Sequence, residues 1–479
     1  MVDLSQLLAT QSAEILQQGP VSFRGVSVHS SEVGNGDLFF ALPGRRDGHD
    51  FIAGSCAAGA TGAVVTRNVD VPEGVTLVKV PDTLLALQEL SVTVRRMSHA
   101  KFVAVTGSAG KTTTKDMIAH TLSRKHEVLK SRASYNNHIG VPLTLLAIAE
   151  RHSHVVTELG TNHPGEIAAL ARMVTPDIGV ITNIGFAHVG NFGSQDAIAS
   201  EKASLLDHVS PGGVCILNGD DPRLFPLVDH LMATGKRVVT VGFDRKNSLQ
   251  AAEVQYSEFG TSGKVIHNGK TWPLALAVTG RHFFYAALLS VAVGLEVGIE
   301  ISESIDSLES FDSTPGRCGV ARPRPNLLVV DDSHNASPDA MLAGLDLLAT
   351  LPGHVKIAAL GEMKELGESA TELHHLVGAK AAAVATHLVT VGPAGAELRA
   401  SAHAHGLDPA KMWSARSARH ALDITLEIAS GTGGDCSILV KGSRFTHMER
   451  VRLGLGGVPV KCDLETCSLF INCHECPQL

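Results

Sequence analysis

Apolar positions along this chain arrive in two rhythms. From position 101 onward, short continuous apolar runs at 103–106, 155–159, 178–183, 214–218 and 238–242 alternate with stretches of helical spacing near 111–123, 164–172, 196–208 and 222–233. Strands this apolar are expected to be buried on both faces, in a parallel sheet covered by helices. Positions 249–278 alternate residue by residue, as a short antiparallel excursion would, and a helix is expected over 281–295. A further strand–helix series follows, with strands at 326–332, 355–361, 387–392 and 436–442. Ahead of all this, residues 1–98 open with a short helix. Strands then fall at 37–42, 62–66 and 75–80, with helices at 51–59 and 84–98. The pattern breaks at Ser98-His99-Ala100 and at Ser313-Thr314-Pro315-Gly316. The expected division is therefore 1–98, 99–312 and 313–455, with a tail over 456–479. No internal repeat and no low-complexity tract appears.

The first strand of the central series runs into Thr106-Gly107-Ser108-Ala109-Gly110-Lys111-Thr112-Thr113. A strand, a glycine-punctuated turn and the polar opening of a helix make a cradle for phosphate. The glycines let backbone N–H groups turn inward, the helix N-terminus adds partial positive charge, Lys111 can reach terminal phosphates, and the Thr112 hydroxyl can hold Mg²⁺. The loop is shorter than the usual spacing, which would put a glycine where this chain has Val105. In such sheets ligands bind beyond the carboxyl ends of the strands. Glu158, ending the second central strand, and His188, just past the third, arrive at that same edge. Taken alone, Glu158 reads equally as a solvated strand-end acid, His188 as a structural or exposed histidine, and Lys202 as a lysine on a helix surface.

At 479 residues the chain is too long for one core, and about 150 residues per domain suggests three. A net charge of −8 gives no basic excess for nucleic acid. The longest apolar run, 283–295, falls short of the roughly 20 residues a membrane span needs. The N-terminus lacks the charged and apolar regions of a signal peptide, so a cytoplasmic protein is expected. Cys56, Cys215, Cys318 and Cys436 are isolated and read as small buried hydrophobes. Cys462, Cys467, Cys473 and Cys476 crowd the last eighteen residues.

Taken together, these stretches resemble the Mur ligases, ATP-dependent enzymes that extend the peptide of the bacterial cell-wall precursor. The loop at Thr106–Thr113 suits the whole superfamily, including folylpolyglutamate and cyanophycin synthetases. More specific are Asn136-Asn137-His138-Ile139-Gly140-Val141-Pro142-Leu143-Thr144-Leu145, Glu158-Leu159-Gly160-Thr161-Asn162-His163-Pro164-Gly165-Glu166-Ile167 and Phe192-Gly193-Ser194. So are Asp331-Asp332-Ser333-His334-Asn335-Ala336-Ser337-Pro338-Asp339-Ala340-Met341, Leu360-Gly361-Glu362-Met363-Lys364-Glu365-Leu366-Gly367 and Val440-Lys441-Gly442-Ser443-Arg444. These are similar to the MurF branch, which adds D-alanyl-D-alanine to UDP-N-acetylmuramoyl-tripeptide, and the resemblance covers about residues 20 to 452.

The resemblance implies an α/β fold of three domains. The central one is a P-loop-type ATP-binding domain with a mainly parallel sheet flanked by helices. A small N-terminal α/β domain binds the UDP-sugar substrate, and a C-terminal Rossmann-like α/β domain completes the ligase. Thr106 to Thr113, His282, Arg317 and Asp332 would hold ATP, with Lys111 on the β- and γ-phosphates. Thr112, Glu158, His188 and Lys202 would serve Mg²⁺, the last as a CO₂-derived carbamate, which turns a repelling cation into an anionic oxygen ligand. Lys111, Asn137, His188 and Lys202 would be the catalytic set, in a cytoplasmic monomer whose substrates are UDP-N-acetylmuramoyl-tripeptide and D-alanyl-D-alanine.

Three departures stand against the family pattern. His29-Ser30-Ser31 replaces an Asp-Ser-Arg segment in the first domain, and Phe283 and Ala286 stand where the family has two asparagines near adenine. The third is the cysteine tail, whose four thiols could hold a tetrahedral Zn²⁺, remain disordered, or act as redox thiols. A ligase joining a different acyl and amine pair, and a nucleotide-binding regulator without turnover, remain as alternative readings. The segment by which MurE recognises its amino acid, Asp-Asn-Pro-Arg, is missing where it would be expected.

Overall fold

The computed structural model describes residues 2–9, 12–44, 46–312, 315–465, 467, 473–476 and 478–479. The expected boundary at Ser313-Thr314 lies outside the described residues. The chain forms two compact units, one of Met1–Thr106, Leu122–Val180 and Glu201–Cys215, the other of Gly107–Thr121, Ile181–Ser200 and Ile216–Leu479.

In the first unit a five-stranded sheet runs in the order Glu14–Gln17, Thr76–Lys79, Gly62–Val65, Leu38–Phe40, Val26–Ser27. The first pair is antiparallel and the rest parallel. Successive side chains on a strand point to opposite faces, so each strand feeds two cores. Leu38, Phe40, Val64 and Val78 pack with Leu87 and Leu90 of helix Thr83–Met97. Phe39, Ala63, Val65 and Leu77 pack on the other side with Ile52. Asp82 starts the helix by accepting from the N–H groups of Leu84 and Leu85. The same unit pairs Lys101–Thr106, His154–Glu158 and Val128–Lys130 in parallel register. His154–Glu158 is buried at every position, as its uniformly apolar reading requires.

In the second unit, strand Arg237–Gly242 pairs in parallel with Leu249–Ser257. The latter begins the expected antiparallel excursion, continued by Gly260–His267 and Lys270–Leu276. Helix Arg281–Glu296 is apolar almost all round and buried from Phe283 to Gly294 except at Tyr285. Among the described residues no helix is long and apolar enough to cross a membrane. The C-terminal sheet has six strands in the order Gly319–Arg324, Leu327–Asp332, Cys436–Lys441, Val355–Gly361, His387–Val391, Met412–Ala415. Its first pair is an antiparallel hairpin and the rest is parallel. Both edge strands escape the sequence pattern: Gly319–Arg324 is largely exposed and ends in Arg322, Pro323 and Arg324, and Met412–Ala415 has only four residues.

Candidate active site

Covalent continuity carries strand Lys101–Thr106 into the glycine turn and then into helix Lys111–Leu122. Gly107 and Gly110 stand at φ +151° and +76°, conformations that only glycine adopts without strain. A Cβ at Gly107 would lie 1.8 Å from Thr182 Oγ1. The turn is locked from outside by the end of the run expected as a strand at 178–183, which the sequence did not connect to the loop. Ala109 N–H donates to Asn183 Oδ1 at 2.9 Å, Ser108 N–H to the Asn183 carbonyl at 3.0 Å, and the Thr182 hydroxyl to the Ala109 carbonyl at 2.6 Å. Lys111 Nζ donates to the Gly107 carbonyl at 2.8 Å. Thr112 is buried, and its hydroxyl oxygen accepts from Arg317 Nη2 at 3.1 Å. Thr113 is half-buried one position on. Arg317, placed near ATP by family resemblance, thus stands against the helix start that carries Lys111 and Thr112.

Asp332, His282 and Lys441 gather close to one another. Burial pushes the Asp332 carboxyl up, but the Lys441 ammonium, ion-paired to it, overrides this and holds the pKa below the carboxylate's ordinary value. Burial depresses His282, with Asp332 opposing and Lys441 assisting. Burial drives the Cys318 thiol well up, and the negative charge of Asp332 pushes the same way. His334 is held at about 3 by burial, reinforced by Arg317 and Arg444, so it is a neutral imidazole at pH 7. Phe283 and Ala286, at the family's two asparagine positions, are both buried in the core of helix Arg281–Glu296. They offer no polar group in place of the asparagines.

His188 has left-handed backbone at φ +64°, and its Nδ1 lies 2.5 Å from Glu365 Oε2, out of line for a directed hydrogen bond. The stretch around it is clasped by C-terminal residues: Phe186 N–H donates to Asp339 Oδ2 at 2.7 Å and Gly190 N–H to the Glu365 carbonyl at 3.0 Å. Gly190 and Gly367 meet backbone to backbone. A Cβ on Gly190 would fall 2.4 Å from Gly367 N, and one on Gly367 2.7 Å from Gly190 Cα. Burial raises the Asp339 carboxyl, and the Phe186 N–H works against that.

The remaining expected site residues belong to the first unit. Thr106 is buried, its hydroxyl donating to the Leu159 carbonyl at 2.9 Å. Glu158 is 1% exposed. Its Oε1 accepts from Asn136 Nδ2 at 2.8 Å, and its Oε2 is buried without a hydrogen-bond partner. The solvated-acid reading of Glu158 therefore fails. Asn137 caps a short helix, its Oδ1 accepting from the N–H groups of Ile139 and Gly140 at 3.1 and 2.9 Å. Its neighbour Asn136, not separately marked in the sequence, is the residue that touches Glu158. Lys202 is 1% exposed, so the helix-surface reading fails as well. Beside it, Glu201 accepts from Gly165 N–H at 2.7 Å and Ile167 N–H at 2.8 Å, tying helix Gln195–Asp207 to the loop after Glu158.

In the tail, Cys462, Cys467, Cys473 and Cys476 line one cavity. Among the described residues, the three ligand-type atoms within 4.8 Å of one another are those of His447, Glu449 and Cys473.

Residues 105–294 match the model of the Mur ligase middle domain, and residues 316–444 that of the Mur ligase, glutamate ligase domain. The chain is 32% identical over 455 residues to the UDP-N-acetylmuramoyl-tripeptide–D-alanyl-D-alanine ligase of Escherichia coli strain K12, covering 94% of this chain and 97% of that one. It is 35% identical over 436 residues to the enzyme of the same name from Mycobacterium tuberculosis strain H37Rv, covering 85% of each. Among solved structures, MurF from Acinetobacter baumannii superimposes with a TM-score of 0.86 at 30% identity, over 95% of this chain and 99% of that one. MurF from Thermotoga maritima in complex with ADP gives 0.79 at 27% identity, over 90% and 97%. With these matches running through both the glycine turn and the Asp332 cluster, the chain belongs to the Mur ligase family, as a MurF-type ligase.

Proposed function

We propose that this protein joins D-alanyl-D-alanine to UDP-N-acetylmuramoyl-tripeptide at the expense of ATP, in the synthesis of peptidoglycan precursor. A carboxylate cannot be captured by an amine directly, because its oxygen leaves poorly. In the proposed reaction the carboxylate oxygen of the tripeptide attacks the γ-phosphorus of ATP and ADP departs, giving an acyl phosphate. The dipeptide amine then attacks the carbonyl carbon, the tetrahedral adduct loses a proton, and inorganic phosphate leaves as the amide forms. The observation that carries this reading is the glycine turn locked by Thr182 and Asn183, with Lys111 and Arg317 both at its helix start.

In this reading Lys111 and the loop N–H groups of Gly107 to Thr113 bind the β- and γ-phosphates. Arg317 neutralises charge transferred to the leaving phosphate, and Asp332, fixed by Lys441, orients His282 beside the nucleotide. Glu158 fits Mg²⁺, because its Oε2 is a buried carboxylate oxygen without a hydrogen-bond donor. Thr112 and a carbamate on the buried Lys202 would complete the oxygen donors, and His188 would stand near the second ion. When bound, Mg²⁺ neutralises phosphate charge in the transferring group. Asn137 is proposed to stand near the acyl group. The domain division at 98/99 and 312/313 belongs to the same reading, with residues 1–98 holding the UDP-sugar.

Glu32, directly after His29-Ser30-Ser31, is engaged by Arg132 Nη1 and the Tyr135 hydroxyl, each at 3.3 Å, so this segment has its own side-chain network. Purified protein supplied with ATP, Mg²⁺, UDP-N-acetylmuramoyl-tripeptide and D-alanyl-D-alanine should release phosphate only when both substrates are present. Release restricted to other acids or amines would reassign the substrates, and none with any pair would remove the ligase reading.

A further inference from the structure

The C-terminal segment contains a second concentration of chemistry, remote in sequence from the nucleotide loop and beyond the end of the matched ligase domain. Cys462, Cys467, Cys473 and Cys476 line a cavity of about 10 Å³ together with His447 and Arg450. That is room for roughly one water-sized occupant. Cys473 is buried, and two nitrogens converge on its sulfur: Arg450 Nε at 3.3 Å and His447 Nδ1 at 3.4 Å. His447 Nδ1 also lies 3.2 Å from Glu449 Oε1.

Arg450 is the informative residue. It is 1% exposed, and its Nη1 donates to the Leu464 carbonyl at 2.8 Å. Among the described residues no carboxylate forms an ion pair with it. A guanidinium so deeply buried costs several kcal/mol unless negative charge is provided nearby. The neighbouring Glu449 carboxylate provides part of it, and thiolates at Cys473 and Cys462 would provide the rest.

We propose that Cys462, Cys467, Cys473 and Cys476 hold one Zn²⁺ as thiolates, with Arg450 and His447 donating to sulfur from outside the coordination sphere. Binding releases four protons as four Zn–S bonds form, and the centre carries two net negative charges, which Arg450 offsets in part. Zn²⁺ favours four sulfur ligands in tetrahedral array, and Cys473-x₂-Cys476 has a common zinc spacing. Outer donors of this kind fix the orientation of metal ligands. Cys473 and Val460 already belong to the apolar cluster that contains Ile438 and Val440 of the C-terminal sheet. The metal would therefore fasten the last residues of the chain onto the ligase domain.

The test uses the full-length protein purified under reducing conditions without chelator. Elemental analysis should find about one zinc per chain, and exchange into Co²⁺ should give thiolate-to-metal charge transfer with the intense visible bands of a tetrahedral site. Cys462→Ser and Cys473→Ser should each retain less than about a tenth of the zinc, whereas His447→Gln should retain it in full. Cys462→Ser alters a half-exposed residue, so its ATP-dependent phosphate release serves as the folding control. Absence of zinc and of the cobalt charge-transfer band in the parent protein would overturn the proposal. So would retention of zinc in both cysteine variants, loss of zinc in His447→Gln, or disulfides in place of metal-bound thiolates.

Discussion

Gly107→Ala is the sharpest probe of the nucleotide loop, because two separate costs meet at one atom. At φ +151° a residue with a Cβ is strained by about 1–3 kcal/mol. The new methyl group would also sit 1.8 Å from Thr182 Oγ1, so the threonine must turn away. Doing so breaks its 2.6 Å hydrogen bond to the Ala109 carbonyl, worth about 1 kcal/mol net. The turn therefore loses about 2–4 kcal/mol of preference for its present shape, which corresponds to about 30- to 1,000-fold weaker nucleotide binding. Titration calorimetry with ATP and a non-hydrolysable analogue reads this directly, with thermal unfolding to show that the variant is folded. Thr182→Ala added to Gly107→Ala should return part of the loss, since the collision with Oγ1 disappears while the backbone cost stays. If Gly107→Ala binds ATP within about threefold of the parent, the loop does not bind phosphate in the manner derived above.

Other residues give independent checks. Asn136→Ala should raise the Mg²⁺ concentration for half-maximal activity by about tenfold, because Glu158 loses its orienting donor, whereas Asn137→Ala should chiefly lower stability, by about 1–2 kcal/mol, through the lost helix cap. Mg²⁺ titration of activity and urea unfolding separate the two, and the reverse pattern would exchange their roles. Lys202→Ala should abolish turnover, with urea unfolding showing that the variant still folds, and added bicarbonate should restore none of it; full activity would remove the carbamate from the proposed site. His334, held at about 3, stays neutral in the folded chain while the unfolded chain gains a proton below its ordinary 6.5. Its contribution to stability is thus complete above pH 6.5 and is lost as pH falls toward 3, amounting to about 2 kcal/mol at pH 5. Urea unfolding at pH 7 and pH 5 should show this loss, and His334→Asn should remove it; an unchanged pH dependence in the variant would refute the assignment.

The nucleotide loop was legible because its requirements are local: glycines for the turn, then a lysine and a hydroxyl, all within eight consecutive residues. The central strands were legible for a related reason, since burial on both faces writes an uninterrupted apolar run into the sequence. What escaped depends on partners distant in the chain. Asn183 and Asp339 fall within stretches the sequence does mark, but they act on backbone N–H groups, which carry no residue identity, so their partners are not written in it. Lys202 sits in a helical stretch that reads as surface, and only tertiary packing buries it. The strand Gly319–Arg324 escaped because it is an exposed edge containing proline and arginine. Its pairing comes from its neighbour Leu327–Asp332 through main-chain bonds.

The meeting of Gly190 with Gly367 has an evolutionary corollary. At most packed sites a larger residue on one side can be accommodated by a smaller one opposite, so paired changes leave a lineage free to drift. Here neither partner has anything left to give up. Both positions are frozen together, and any descendant that breaks the joint must rebuild the chain path around it rather than trade one side chain for another.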